Sequence, residues 1–240
     1  MEDEFFDERM EWIREQLDDP EAEEDHPRWD ELSEEFDNLY GSSRDYDDDW
    51  EIPGRTRLDL FEEAMEAVLV LLGTEVSYPV RQNLRVMLHG HVIAATEGFL
   101  ASSFIGTTLT SEFYIKALVE TDPTFAKTQF SMKEIFAKKA GLRNEIGTYL
   151  QEVIYHNVFK VKLMYKAVLK IDLGELAWLA TAVATRHDCV HRAGYTKEGI
   201  EVYLPEQSIK ELVEKCRALV RKVDSQIQTL PKLDDLEPLF

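Results

Sequence analysis

The chain has 240 residues, is 44% apolar and carries a formal net charge of -20 at pH 7. That is enough apolar material for one domain of ordinary size plus an extra segment. Two cysteines, Cys189 and Cys216, are too few for a disulfide framework or a thiolate zinc site, and the opening Met-Glu-Asp-Glu is the opposite of a signal peptide. No apolar run approaches the ~20 residues that span a bilayer, so the expectation is a cytoplasmic protein with no membrane contact. The charge is uneven. Residues 1–54 hold 23 Asp/Glu and four Arg, a net of -19, whereas residues 55–240 hold 24 Asp/Glu against 23 Lys/Arg. An acidic leader (1–54) therefore precedes an electrically balanced domain (55–240) that has room for a basic face.

In the leader, Phe6, Met10, Ile13 and Leu17 fall on one stripe of a helix stopped near Pro20. Trp29, Leu32, Phe36, Leu39 and Tyr40 form a second stripe ending at Gly41, followed by a linker with two aromatics. Such helices are suited either to solubilise the chain or to dock on a basic face and compete with a polyanion. Helix then runs from Leu58 to Leu72, apolar all round in its second half and so expected to be buried there. Ser77-Tyr-Pro79 starts a long helix to about Thr108, with Gly90, Ala94, Ala95 and Gly98 small enough for a neighbouring helix to approach. A short helix spans Phe113 to Glu120, and Ser131 with Glu134 makes a capping box for another, to about Lys139.

A second long helix is expected from Leu142 to Leu169. Its lysines Lys160, Lys162, Lys166 and Lys170, with Lys138, Lys139 and Arg143 upstream, make the densest positive charge in the chain, either a solvated face or a phosphate-contacting one. Leu176 to Val190 forms the next helix, ended by Gly194. An extended connection over 199–204 leads to a last helix begun by Pro205. The periodicity is three to four almost throughout, which predicts an all-α helical bundle built on two long helices, with an acidic helical leader.

The penultimate helix ends in Arg186-His-Asp-Cys-Val-His-Arg-Ala-Gly194, the most concentrated chemistry in the chain. His187 and His191 share a helix face and match an H-x-x-x-H metal pair, but the second position lacks the Glu of a metalloprotease helix and the segment offers no obvious third ligand. Arg186 and His191 form an R-x4-H pair about 140° apart around the helix. Arg85 and His91 fit a related R-x5-H spacing, so the bare spacing does not discriminate. Cations in a last helical turn also stabilise the helix end by ~0.3–1 kcal/mol each, with no catalysis implied.

The block 186–194, at the end of a helix in an all-α domain, resembles the signature of HEPN domains, in particular the branch similar to RiboL-PSP-HEPN proteins. The resemblance spans roughly residues 77–227, including His-Gly-His-Val-Ile-Ala-Ala-Thr-Glu-Gly-Phe-Leu over 89–100, and leaves out the leader. It implies a dimeric helical bundle acting as a metal-independent endoribonuclease, without a cofactor, in toxin or antiviral-defence settings. An antitoxin or regulatory partner is part of that implication. Arg186 and His191 would be catalytic, with His187 or Asp188 tuning His191, Glu97 holding Arg186, and Arg192, Lys160, Lys162 and Lys166 contacting RNA. Ala193 stands where some members carry a Tyr through which they are silenced, and Tyr195 lies two residues too late for that role. The alternative is a non-catalytic HEPN module that binds RNA, a nucleotide or a partner.

The chemistry agrees with the resemblance. RNA carries its own nucleophile, the 2′-OH, so cleavage needs a base, an acid for the leaving 5′-oxygen, and positive charge at the phosphate. Imidazole titrates near neutrality and guanidinium grips phosphate through parallel N–H donors. One helix does not easily aim both groups at a single phosphate, which predicts a homodimer with the motif at its two-fold interface. If the leader competes with RNA, deleting residues 1–54 raises RNA affinity in a titration at low salt; unchanged affinity refutes the competition.

Overall fold

The computed structural model describes residues 54–125, 135–153 and 155–231, with 10, 12–14, 16, 17, 19, 22, 26, 28, 29, 32 and 33 of the leader. Among these residues every regular element is a helix. The helices are α1 (Arg57–Leu72), α2 (Tyr78–Leu109), α3 (Glu112–Thr121), α4 (Ile135–Glu152), α5 (Val158–Met164), α6 (Ala177–His191) and α7 (Glu206–Gln228); a π-helical turn, Tyr165–Leu169, extends α5. The all-α expectation holds.

The helix ends follow local chemistry. Thr56 and Asp59 form a capping box on α1, the Thr56 hydroxyl accepting from Asp59 N and the Asp59 carboxylate from Thr56 N. These bonds hold the Asp59 carboxyl below its usual value. The apolar second half of α1 is only partly buried: Met65, Val68 and Leu72 enter the core, while Val70 (65% exposed) and Leu71 (46%) face outward. One helix face can meet the core; a helix apolar all round needs neighbours on every side, and among the described residues α1 packs chiefly against α2 and α7.

The second expected long helix is broken. α4 runs unbroken from Ile135 past Lys139 to Glu152, and α5 begins five residues after Val153. Asn157 causes the restart, because its side chain accepts from Lys160 N at 3.1 Å and caps a new helix. The capping pair Ser131 and Glu134 lies outside the described residues, as do Phe6, Phe36, Leu39 and Tyr40. The apolar periodicity of 142–169 marks Ile146, Leu150, Ile154, Val161, Met164 and Val168 as core; Ile154 lies outside the described residues and the other five are buried. Lys170, in the left-handed region at φ 60°, ends the π-helical turn, and the Tyr165 hydroxyl beneath it donates to Leu100 O at 2.7 Å.

α2 is the spine, touching α1, α3, α4, α6 and α7. Its stretch Val80–Leu109 is long and apolar enough to cross a membrane by length and composition, contrary to the reading of the sequence by runs. His89, His91 and Glu97 interrupt each run without lowering the average much. Since 72% of that window is buried inside the bundle, its apolar surface is spent on neighbouring helices. Arg217 and Arg221 of α7 both bond Glu62 of α1, at 2.9 and 2.7 Å, and Arg217 also reaches Glu66 and Glu214. These partly exposed pairs set the orientation of α7 more than they stabilise it. In the leader, Ile13, Ala22, Trp29 and Leu32 bury one another, with Met10, Trp12 and Leu17 packed around them.

His89 is the one buried histidine of the spine, 6% exposed. Its Nε2 lies 3.0 Å from Ala182 O, and since a carbonyl only accepts, Nε2 carries the proton. Burial pushes its pKa below 6.5, and the bond to Ala182 only partly opposes this. With a folded pKa below the unfolded one, the unfolded chain binds more protons as pH falls. Stability from His89 is therefore present above about pH 6.5 and lost as pH drops through its folded value. Urea titrations from pH 7 downward are expected to show this loss, with a flatter profile in His89→Gln, which keeps a donor but does not titrate.

Candidate active site

The site is built on the contact of α2 with α6. Gly90 leaves room for Val190, whose Cγ2 would lie 3.5 Å from a Cβ at that position. Gly194 packs on Val86, where a Cβ would come within 2.8 Å of Cγ2. Rising along α2 from Val86 to Gly90 thus meets α6 descending from Gly194 to Val190, and the two helices run antiparallel. His89 ties the pair through Ala182 O. Below the end of α6, Val86, Cys189 and Leu204 form a small buried cluster with Val202 against it, and Gln82 Nε2 donates to Val202 O at 3.0 Å. Cys189 is held there as an inert thiol, its pKa raised by burial to about 11.

α6 closes as the sequence predicts, at Gly194, though one residue earlier the chain already turns left-handed. Ala193 has φ 52° and Gly194 φ 86°. Asp188 O accepts from both Arg192 N and Gly194 N at 3.1 Å. The chain then folds back through a tight hairpin, Thr196 N bonding Ile200 O and Val202 N bonding Gly194 O, both at 2.8 Å. This is the expected extended connection, with one bridge, Tyr195 to Glu201.

The ionisable groups of the motif separate into two sets. Arg186 is half-buried, with its Nε buried and without a hydrogen-bond partner. Its charge acts on Glu97 of α2, whose Oε1 is likewise buried and unpartnered. Burial raises the Glu97 carboxyl, and the charges of Arg186 and then His156 oppose that rise. Glu97 thus interacts with Arg186 by charge, with no hydrogen bond at its buried Oε1. His191 belongs to the other set: it is exposed, and its ring centroid lies 4.7 Å from that of His187 at 44°. The His187 pKa is lowered, by desolvation first and then by the charges of Arg192 and His191, against Asp188. Asp188 pairs with Arg192 at 2.5 Å, an i,i+4 ion pair that engages both groups expected to serve His191 or RNA. Arg186 and His191 are not brought together within one chain.

The second spacing match has a structural explanation. Arg85 lies 3.9 Å from Glu206 at the start of α7, and His91 is exposed. The lysines divide too. Lys162 Nζ donates to Gly174 O at 2.6 Å, and Lys162 and Lys166 both act on Asp172. Lys160 instead sits 5.8 Å from the centroid of the Tyr149 ring. The side chains of Lys138 and Lys139 lie outside the described residues.

Lys160 marks a feature that the sequence did not announce. Where α4 breaks and α5 begins, a groove of ≈ 700 Å³ is lined by Tyr149, Glu152, His156, Asn157, Phe159 and Lys160, with Ala180 of α6. His156 is the same residue whose charge reaches Glu97. A sequence signal that could have found it is Asn157, a helix-capping residue within a pattern read as one continuous helix. Among the described residues no three His, Cys, Asp or Glu side chains are grouped to hold a metal, so the pair His187 and His191 gains no third ligand there.

Comparison of the chain with protein-family models, with curated proteins and with solved structures returns no match.

Gly194→Ala would force a left-handed backbone on a residue with a Cβ and push that Cβ into Val86. The expected loss of stability is about 1–3 kcal/mol in urea unfolding, larger than for Gly199→Ala, which meets nothing within 4 Å.

Proposed function

We propose that the protein is a metal-independent endoribonuclease of HEPN type, acting as a C2 dimer with Arg186 and His191 as its catalytic pair. One observation carries the reading: the helix that holds both residues turns Arg186 inward to Glu97 and leaves His191 on the surface beside His187. A guanidinium and an imidazole so divided serve one phosphate only when a second copy supplies the missing group. The surface around His191 suits such a partner, since Met87 (68% exposed), Val190 (54%) and Tyr195 (48%) leave apolar area in water beside it.

In the shared site His191 of one protomer takes the 2′-OH proton, and the 2′-oxygen attacks phosphorus. The P–O5′ bond breaks, leaving a 2′,3′-cyclic phosphate and a 5′-OH, with the proton for the leaving oxygen supplied by an imidazole of the site. Arg186 offers N–H donors to the phosphate oxygens where charge develops. Glu97, whose carboxyl feels the charge of Arg186, orients that side chain. DNA lacks the nucleophile and is not cleaved. The setting is a toxin or defence effector in the cytoplasm, regulated by an antitoxin or similar partner.

The test is cleavage of labelled RNA in EDTA by wild-type protein, Arg186→Ala, His191→Ala and an unfolded-and-refolded mixture of the two variants. Each variant alone is expected to lose cleavage by at least about a hundredfold. The mixture recovers about a quarter of wild-type rate, because half the dimers are mixed and each carries one intact pair. RNA binding without cleavage by wild-type protein supports the non-catalytic module instead, and sensitivity to EDTA supports metal hydrolysis at His187 and His191.

A further inference from the structure

The groove at the α4–α5 break is unused by the chemistry above, yet it has the composition of a binding site. Phe159 keeps 60% of its surface in water although the core lies directly below it at Val158 and Val161. Tyr149, the opposite aromatic, is held rigid: its hydroxyl donates to Asp122 at 2.7 Å, its ring meets Phe125 edge-on at 4.9 Å, and Lys160 stands over its face. Aromatic faces fixed in place, a cation beside them and polar groups at the rim are what single-stranded nucleic acid requires, because every base has a face to stack and every linkage a charge to meet. Two positions along the same groove, Glu152 and Asn157, supply an acceptor and a donor for a base edge, and His156 lies beside them.

The groove also communicates with Arg186. Ala180 lines it from α6, and Arg186 lies six residues further, about 9 Å along the helix axis. Glu97 of α2 feels the charges of both His156, which lines the groove, and Arg186, and its Oε1 is buried without a partner. We infer that the groove is the subsite for a nucleotide flanking the scissile phosphate of single-stranded RNA, its base stacked on Phe159 and its phosphate met by Lys160 and His156. Glu152 and Asn157 read the base edge, the carboxylate accepting from an exocyclic amino group, which also keeps Glu152 clear of phosphate. The inference rests on the ribonuclease reading for the word scissile, and on the groove alone for the nucleotide.

Steady-state cleavage and anisotropy binding of a fluorescent single-stranded RNA test it with the full chain. Phe159→Ala is expected to raise KM and Kd about tenfold with kcat little changed, and Phe159→Trp to restore both. Phe113→Ala, an exposed aromatic on α3, serves as the control for a nonspecific loss. Lys160→Gln weakens binding and reduces its salt dependence. Double-stranded RNA of the same sequence and free nucleoside monophosphates compete poorly. Unchanged KM and Kd in Phe159→Ala overturn the subsite even if Arg186→Ala and His191→Ala are inactive. A wild-type protein that never cleaves, but whose RNA binding falls in Phe159→Ala and Lys160→Gln, overturns the ribonuclease reading and leaves the subsite standing. Free monophosphates binding as tightly as the oligonucleotide overturn the strand as occupant.

Discussion

The close approach of α2 and α6 is the constraint on which the rest depends. Gly194 spares a Cβ that would come within 2.8 Å of Val86, and His89 ties the two helices through a buried hydrogen bond to Ala182 O. Interiors packed to crystal density transmit such a requirement over their whole length. With α6 pinned at Ala182, Val190 and Gly194, the rotation of the helix is set, and so is the side to which each ionisable residue between them turns. The chemistry of 186–191 is a consequence of how tightly its helix is held.

That rotation sorts charge by depth. Toward the interior, burial disfavours the charged form of Glu97, and the guanidinium of Arg186 opposes that effect. Toward solvent, the His187 and His191 rings lie side by side, tilted by 44°, and Asp188 closes on Arg192. Such an arrangement leaves a buried guanidinium nitrogen and a buried carboxylate oxygen unpaired, a cost normally met by a ligand, an ion or water. Opposed to this stored imbalance, the outer surface of the bundle is conventional, with exposed ion pairs between α1 and α7 and lysines tied to carbonyls of their own loops.

The break between α4 and α5 has a comparable effect on the other side of α2. A continuous helix would have run Tyr149, His156 and Phe159 along one straight rod; with the restart at Asn157 all three line a groove. In the π-helical turn that follows, Tyr165 donates to Leu100 O and anchors the end of α5 to the spine. Both features come from polar side chains that offer the backbone or a distant carbonyl a hydrogen bond stronger in context than the regular ladder.

How much of this was legible in the chain follows from the range of the forces. Helix content, the limits of α2, α3 and α7, the stop at Gly194 and the core positions Ile146, Leu150 and Met164 were readable, because apolar periodicity and capping act over a few residues. Arg186, His191 and Glu97 were marked by residue type, and their helices were placed correctly. The exposure of Val70 and Leu71, the split at Val153–Asn157, and the groove with His156 and Phe159 were not readable, since each depends on which neighbours a helix finds. Sequence alone determined an all-α chain with an acidic leader and a dense polar turn at the end of one helix. Only tertiary packing decided that Arg186 turns to Glu97 and His191 to solvent, because a helix's rotation is set by its contacts and not by its own residues.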